Sequence, residues 1–547
     1  MVYRIPITIN GQRILVALAL TAFFSTISTF YHIGLLSLPE HAVSSHFSGQ
    51  LGKLQSYPSD DEDFDGHFRS QQYWLTPDGN RIEPIEQLFI NSYNSYRQFL
   101  NRQSKTLKEA IINYQVRYNR DPPPGFDEWF TYAKEKNAVV IDDYDRIEDS
   151  LEVYRLLPAE DFEKRMNDLR AYDVNNRISE FEIKDGVVSV RGGDGWHIAS
   201  LYEYSHRLPD LKLLFNGYDE PFVFATANET EVPVDFWQAA GEVWWGRLME
   251  KCRLDEKFRA ARRKNHGTVE WARRVKGAER YIGTMDEAKD ALDICKHPES
   301  REMHGFFNGP TSLTATNLLV PIASVARIEG FKDLLLPSGY LLDTNYMGNE
   351  GVKDWDFKQK KLFWRGSPTG GFLDGENVFK MHRIRLAVMA QKFTDLIDAK
   401  ITGYFENPHD TTLQALMMLR RFFERPERAE KSEENTFGYL MDMDGNGESG
   451  RYYRLLRSKA VVFKLTAFQE WHDDRLFPWV HYVPIRLGMP ELVNVIKWMS
   501  KTERGLEISR RIAEESNWWA RTALRPEDAA VYTYRLLLEY AELFRKK

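Results

Sequence analysis

An α/β fold is predicted from three observations. Short apolar strands alternate with helices through the second half of the chain, and two of them run straight into Gly-rich turns. One of those turns, after Tyr439 to Met443, opens directly into a further helix. Alternation of this kind argues for a parallel sheet covered on both faces.

From the N-terminus, Ile14 to Pro39 contains no Asp, Glu, Lys or Arg, and is long enough to cross a bilayer, which takes about 20 apolar residues. Arg4 and Arg13 precede it and Glu40 follows. A signal anchor at 13–39 is therefore expected, with a cytosolic tail at 1–12 and the body across the membrane. A long, removable signal peptide is the alternative. Residues 40–80, Ser-rich and acidic, read as a stem. A helical region over 81–173 follows. Ile85, Leu88, Phe89 and Tyr93 share one helix face, a second helix runs near Ser104 to Arg120, and after DPPPGF a short aromatic helix runs to Lys136.

Ile178 to Arg191 predicts a hairpin turning at Asp185-Gly186. Strands are expected at 211–215, 221–225 and 317–326. The second half then alternates: strand 362–365, helix Glu376 to Phe393, strand Lys400 to Phe405, helix Thr411 to Phe423, strand Tyr439 to Met443, helix Arg451 to Lys459 and strand 461–465. Helices close the chain, with Val531, Tyr534, Leu538 and Ala541 as a stripe that packs on the body.

The 547 residues allow two to three domains, and a hydrophobic content of 43% supports large cores. A net charge of −7 gives no electrostatic case for nucleic acid. Cys252 and Cys295 allow one disulfide at most, and the sequence leaves their pairing open. Asn228-Glu229-Thr230 is a glycosylation sequon.

Four patches carry chemistry. FNGYDEP (215–221) sets Asp219 and Glu220 just after an apolar strand, where ligand loops of α/β sheets lie. LFWRGSPTGG (362–371) brings Arg365, Gly366, Ser367 and Thr369 after another, with Arg383 and Arg385 on the following helix. The turn Asp444 to Gly450 precedes Arg451 and Arg454, and a Gly turn at a helix start gathers N–H groups for an anion. EWHDDRLFPWVHYVPI (470–485) offers Trp471, Trp479, His481 and Tyr482 as either a sugar platform or core.

GNGESG also fits a dinucleotide fingerprint, although Arg, Tyr, Tyr and Arg follow where close packing wants small residues. DMDGNG opens like a calcium loop, but position 12 is Tyr453 instead of Glu. Asp442 and Asp444 form a DxD that could hold a metal or simply cap the turn. No GxSxG elbow and no phosphate-binding GKS or GKT occurs.

FNGYDEP, LFWRGSPTGG with HRIRL, YLMDMDGNGESGRYYRLLRS and EWHDDRLFPWVHYVPI together resemble the capsule-associated glycosyltransferases of glycosyltransferase family 90, which include protein O-glucosyltransferases and fungal xylosyltransferases. The resemblance runs from about Ser104 to Met499. It implies a GT-B architecture, with an acceptor-side Rossmann-like half at 174–335, a UDP-sugar half at 336–500, and C-terminal helices at 501–547. It implies inverting, metal-independent transfer of xylose or glucose from a UDP-sugar to a glycan or glycoprotein hydroxyl, with no cofactor.

By the same resemblance Asp219 is the base, and Arg365, Gly366, Ser367, Ser449 and Arg451 bind the donor. Arg383 and Asp444 border the same turns and join that set. Phe222 departs from the family, many of whose members carry Arg there. The expected setting is the Golgi or endoplasmic reticulum membrane, type II, anchored through residues 14–38 with the body lumenal. An NAD(P)-dependent oxidoreductase and a non-catalytic sugar-binding Golgi protein remain as alternatives.

Overall fold

The computed structural model describes residues 83–545 except 173–176, 193–199, 225–235, 239–243, 253–280, 312, 344–346, 348–350, 405–409 and 424–429. The predicted tail, anchor and stem, and the sequon at Asn228, lie outside the described residues. Among the described residues no helix is long and apolar enough to cross a membrane.

Three helices open the described chain: α1 (Pro84–Arg102), α2 (Leu107–Tyr118) and α3 (Phe126–Glu135). Pro84 starts α1, where its missing N–H costs nothing. At α2 the Thr106 hydroxyl accepts from the Glu109 amide and the Glu109 carboxylate accepts from the Thr106 amide, a reciprocal cap.

The first sheet runs β2-β1-β3-β4-β5, with β1 (Ile178–Lys184), β2 (Val187–Arg191), β3 (Leu211–Asn216), β4 (Ile322–Ser324) and β5 (Leu334–Leu335). Strand β1 is antiparallel to both β2 and β3, and the rest pair in parallel. Asp185 and Gly186 take φ of 49° and 77°, as a two-residue hairpin turn requires. The expected strand at 221–225 is only a single bridge, Val223 to Thr316. The amides of Phe222 and Val223 are occupied instead by the Asp333 carboxylate, at 2.8 and 2.9 Å. The expected strand at 317–326 shortens to β4 because Pro321 has no N–H for a ladder.

The second sheet is wholly parallel, in the order β7-β6-β8-β9-β10. Its strands are β6 (Gln359–Gly366), β7 (Ile397–Ile401), β8 (Phe437–Met443), β9 (Val461–Leu465) and β10 (Val483–Pro484). Every residue of β8 and β9 is buried, which is why both read as apolar runs interrupted only by Asp442 and Lys464, a buried ion pair. Neighbouring residues divide between two cores. Leu362, Trp364, Tyr439, Met441 and Phe463 face one; Phe363, Leu440 and Val462 face the other.

The helices of this half are α4 (His382–Lys392), α5 (Leu413–Phe422), α6 (Tyr452–Leu456), α7 (Leu492–Lys501) and α8 (Glu503–Ala520). Helix α4 starts six residues after its predicted start at Glu376, because the Asp374 carboxylate takes the Glu376 and Asn377 amides and holds a turn there. Strand β7 lies three residues before its predicted place, since its register with β6 ends at Ile401 opposite Gly366.

The last helix, α9 (Pro526–Ala541), is buried on all sides from Ala529 to Tyr540, so it is a core helix and not a stripe on a surface. The Trp129 indole donates to the Val531 carbonyl at 3.0 Å and the Tyr114 hydroxyl to Glu539 at 2.9 Å. The first and last described helical segments thus share one core. Mixed α/β layering with a parallel sheet is as predicted, although the sheet of the first half is mixed, with β1 running against the other four strands.

Candidate functional site

The order β7-β6-β8-β9-β10 reverses direction between β6 and β8. The crevice outside the carboxyl ends at such a reversal is where open α/β sheets bind ligands. Gly366 closes β6 and Ser367, Thr369 and Gly370 follow it; Asp444 to Gly450 follow β8. The two turns are tied together. Arg383 donates to the carbonyls of Asp444 (2.7 Å), Met443 (3.1 Å) and Ser367 (3.1 Å) and to the Thr369 hydroxyl. Burial, then the nearby Arg451, pushes its guanidinium down to about 9. The Gly370 amide adds a bond to the Asn446 side chain at 3.2 Å.

Arg451, just before α6, donates to the Arg365 carbonyl at 2.7 Å, bringing both predicted arginines to the same pair of strand ends. The Arg365 side chain itself is held by Asp398 at 2.8 Å and Glu433 at 3.3 Å. Ser449 donates to Asp442 at 2.6 Å. The other Asp442 oxygen stands 3.4 Å from Lys464, which also binds Glu470 at 3.0 Å. Lys464 lies 3.7 Å from the centre of the Tyr452 ring, which helps hold this cation inside.

Asp444 points elsewhere, accepting from the Ala467 amide at 2.6 Å with His304 at 3.2 Å. Burial pushes its carboxyl up to about 6. The two carboxylates of the DxD therefore serve different partners. Among the described residues no group of three His, Cys, Asp or Glu side chains is arranged to hold a metal.

Asp219 comes from the first half. The Asn216 side chain donates to the Glu220 carbonyl at 2.8 Å and accepts from the Tyr218 amide at 3.0 Å, so one side chain spans the turn. Buried Asp333 braces it from below, accepting from Ser324 (2.6 Å) as well as from the Phe222 and Val223 amides. The turn then presents Asp219, exposed, at the rim. Its carbonyl lies against Gly447, where any Cβ would overlap it, and a Cβ on Gly450 would overlap the Tyr340 ring. Two of the three fingerprint glycines thus answer to close packing, Gly447 against the first half and Gly450 against Tyr340 within the second. Helix α6, five residues long and opened by buried Tyr452 and Tyr453, is unlike a dinucleotide helix.

The structure so brings the turns that carry Asp219, Gly366, Ser367, Asp444, Ser449 and Arg451 together, with Arg383 bridging two of them and the Arg365 side chain turned to Asp398 and Glu433. The Trp-rich patch is core: Trp471, Trp479 and His481 are buried, and both indoles are hydrogen-bonded. Sequence reasoning missed Glu448, whose stem is half-exposed but whose carboxyl is enclosed. Ser338 donates to one oxygen at 2.7 Å, and the other has no hydrogen-bond partner among the described residues. Burial, then Glu470, pushes it up to about 8. It missed Lys464 too, though a lysine within an all-apolar strand is itself a signal that buried carboxylates wait nearby.

Residues 343–547 match the family model described as glycosyl transferase family 90. Over these residues the chain is similar to that family. The match begins after the Asp219 turn, so that turn is placed by its contact with Gly447 and not by the family model. Protein O-glucosyltransferase 3 of Rattus norvegicus is 27% identical over 239 residues, covering 41% of this chain and 42% of the relative. Protein O-glucosyltransferase 2 of Danio rerio is 29% identical over 191 residues (35% and 34%). O-glucosyltransferase rumi of Drosophila melanogaster is 24% identical over 242 residues (41% and 55%). The matches thus span about a third to just over half of these relatives' lengths.

The remaining feature that bears on setting is the pair Cys252 and Cys295, which form a disulfide with Cα atoms 5.2 Å apart. Disulfides persist in oxidising compartments.

Proposed function

We propose that this protein is an inverting glycosyltransferase of the secretory pathway that moves a sugar, xylose or glucose, from a UDP-sugar to a hydroxyl of a glycan or glycoprotein. The observation that carries the reading is the meeting of the exposed Asp219 turn with the Gly-rich turn at the sheet's reversal point. Inverting transfer needs one carboxylate to take the acceptor hydroxyl's proton as its oxygen attacks C1. It also needs N–H groups and cations for the diphosphate, whose charge grows as it leaves. Asp219 fills the first role. Ser449, Arg451 and the backbone of Gly366, Ser367 and Asp444 to Gly450 fill the second. Arg383 and Arg365 act from below, holding the two turns in register.

The reaction proceeds without a cofactor or metal in this reading. The O-glucosyltransferase relatives favour a hexosyl or pentosyl donor, and the disulfide favours a lumenal body. A GT-B arrangement and a type II anchor at 13–39 complete the proposal.

Titration calorimetry with UDP and with NADH, on wild type and Arg451→Ala, is the test. UDP binds the wild type, and the variant loses about tenfold to a hundredfold in affinity, the worth of one hydrogen bond to a charged group. NADH binding, or UDP affinity unchanged in the variant, defeats the assignment. UDP release with a panel of UDP-sugars then names the donor.

A further inference from the structure

His304 lies outside every sequence patch that the proposed function uses, yet it reaches the donor turn from the first half of the molecule. It is fully buried, and its Nε2 stands 3.2 Å from the Asp444 carboxylate. On its other side it is held by its own chain. The Phe306 amide donates to His304 Nδ1 at 3.2 Å, and the Phe306 carbonyl accepts from the Trp244 indole at 2.9 Å.

These bonds decide the tautomer of the imidazole. A ring nitrogen that accepts from an amide carries no proton, so the one proton of the neutral ring sits on Nε2 and is donated to Asp444. Burial, then Arg383 and Arg385, holds the ring down to about 3, so it is neutral at physiological pH. The His382 ring lies parallel to it with 4.1 Å between centres, and His382 Nε2 donates to the Asp444 carbonyl at 3.1 Å.

Asp444 is thereby gripped at both ends. Its carbonyl accepts from His382 and Arg383, and its carboxylate from His304 and the Ala467 amide. The same backbone continues into Gly445 to Gly450, the stretch assigned above to the diphosphate. The His304 segment reaches the other turn as well. Gly305 packs so closely on Gly370 that any Cβ would overlap the Gly370 carbonyl, and the Gly309 carbonyl accepts from the Phe372 amide at 2.6 Å. Packing alone needs no nitrogen here, since a phenylalanine would stack on His382 too. What the histidine adds is a donor aimed at one carboxylate of the turn.

We infer that His304 is a positioning residue for donor binding, which sets the Gly-rich turn through its Nε2–H bond to Asp444 without touching the donor. The inference rests on the reading of that turn as the diphosphate site.

Titration calorimetry with UDP on three variants tests it, with melting temperatures measured alongside. His304→Gln places an amide N–H near the position of Nε2. His304→Asn places an oxygen near that of Nδ1 and leaves Asp444 without its donor, and His304→Phe keeps only the ring. The Gln variant is expected to bind UDP within about threefold of wild type, and the Asn and Phe variants about tenfold more weakly, some 1.4 kcal/mol. A role confined to packing would lower melting temperatures and leave UDP affinity alone. In an Asp444→Asn background the His304→Asn loss should disappear, because both changes break the same bond. If that background does not fold, the comparison of Gln with Asn decides.

Folded Asn and Phe variants that hold UDP as wild type does, a Gln variant as weak as Asn, or additive losses in the double variant overturn the inference. So does failure of both the Asn and Phe variants to fold, which would make His304 a structural residue. Wild-type UDP binding separates this inference from the reading beneath it. Without that binding the donor assignment falls and takes the role of His304 with it; with it, unaffected variants sink the role of His304 alone.

Discussion

Asp219 is exposed at the rim of a turn held by Asn216 through the Tyr218 amide and the Glu220 carbonyl, and by Asp333 through the Phe222 and Val223 amides. Such bracing fixes a carboxylate without neutralising it. Asp219→Asn is therefore expected to keep UDP affinity while cutting transfer by about 10²–10⁴-fold, the range of general base catalysis. Near-normal turnover would move the base to another residue, with Glu220 next in line. Glu448 makes the second residue-scale prediction. Its folded-state value, about 8, lies above the unfolded one, so the folded protein holds a proton there that the unfolded chain has released. The stability this contributes is complete below the usual carboxylate range and is lost as pH rises toward 8. Glu448→Gln cannot lose the proton, so its melting temperature should gain on wild type from pH 5 to 8.5. A constant difference across that range would refute it. At this scale the motif residues were legible because strand ends and Gly turns carry their own letters. Glu448, Asp333 and His304 were not, since their meaning comes from burial against distant segments.

Single elements were legible where local chemistry alone sets them. The hairpin at Asp185-Gly186 and the strand β9 fall where the sequence puts them. Boundaries slipped where a side chain competed for backbone amides, as Asp374 does before α4 and Asp333 does at 222–223. The Thr106 cap offers a direct measurement. Thr106→Ala removes the acceptor for the Glu109 amide while Glu109 continues to accept from the residue 106 amide, at a cost of about 1 kcal/mol. Urea unfolding followed by circular dichroism reads this as a lower midpoint at unchanged slope. A shift in slope instead would mean that α2 folds apart from the rest.

At the scale of the whole molecule, the stretch that matches the family 90 model, residues 343–547, ends in a helix that packs into the core of the preceding segment. Arg535 of α9 sits 4.5 to 4.8 Å from the rings of Phe126, Tyr114 and Trp129, and pairs with Glu539 at 2.9 Å. Glu539 in turn accepts from the Tyr114 hydroxyl and pairs with Arg155 at 3.1 Å. Cutting the chain before residue 343 would strip these partners away, leaving an ion pair and a helix buried on all sides facing water. The long-range closure was invisible in the sequence, where Val531, Tyr534 and Leu538 suggest only one apolar stripe. Residues 343–547 expressed alone should therefore aggregate or bind a hydrophobic dye strongly, whereas residues 83–547 should give a cooperative melt. A monodisperse 343–547 fragment that melts cooperatively would show that α9 finds its core within the second half, and that the helical region of 81–173 is an accessory instead of a structural partner.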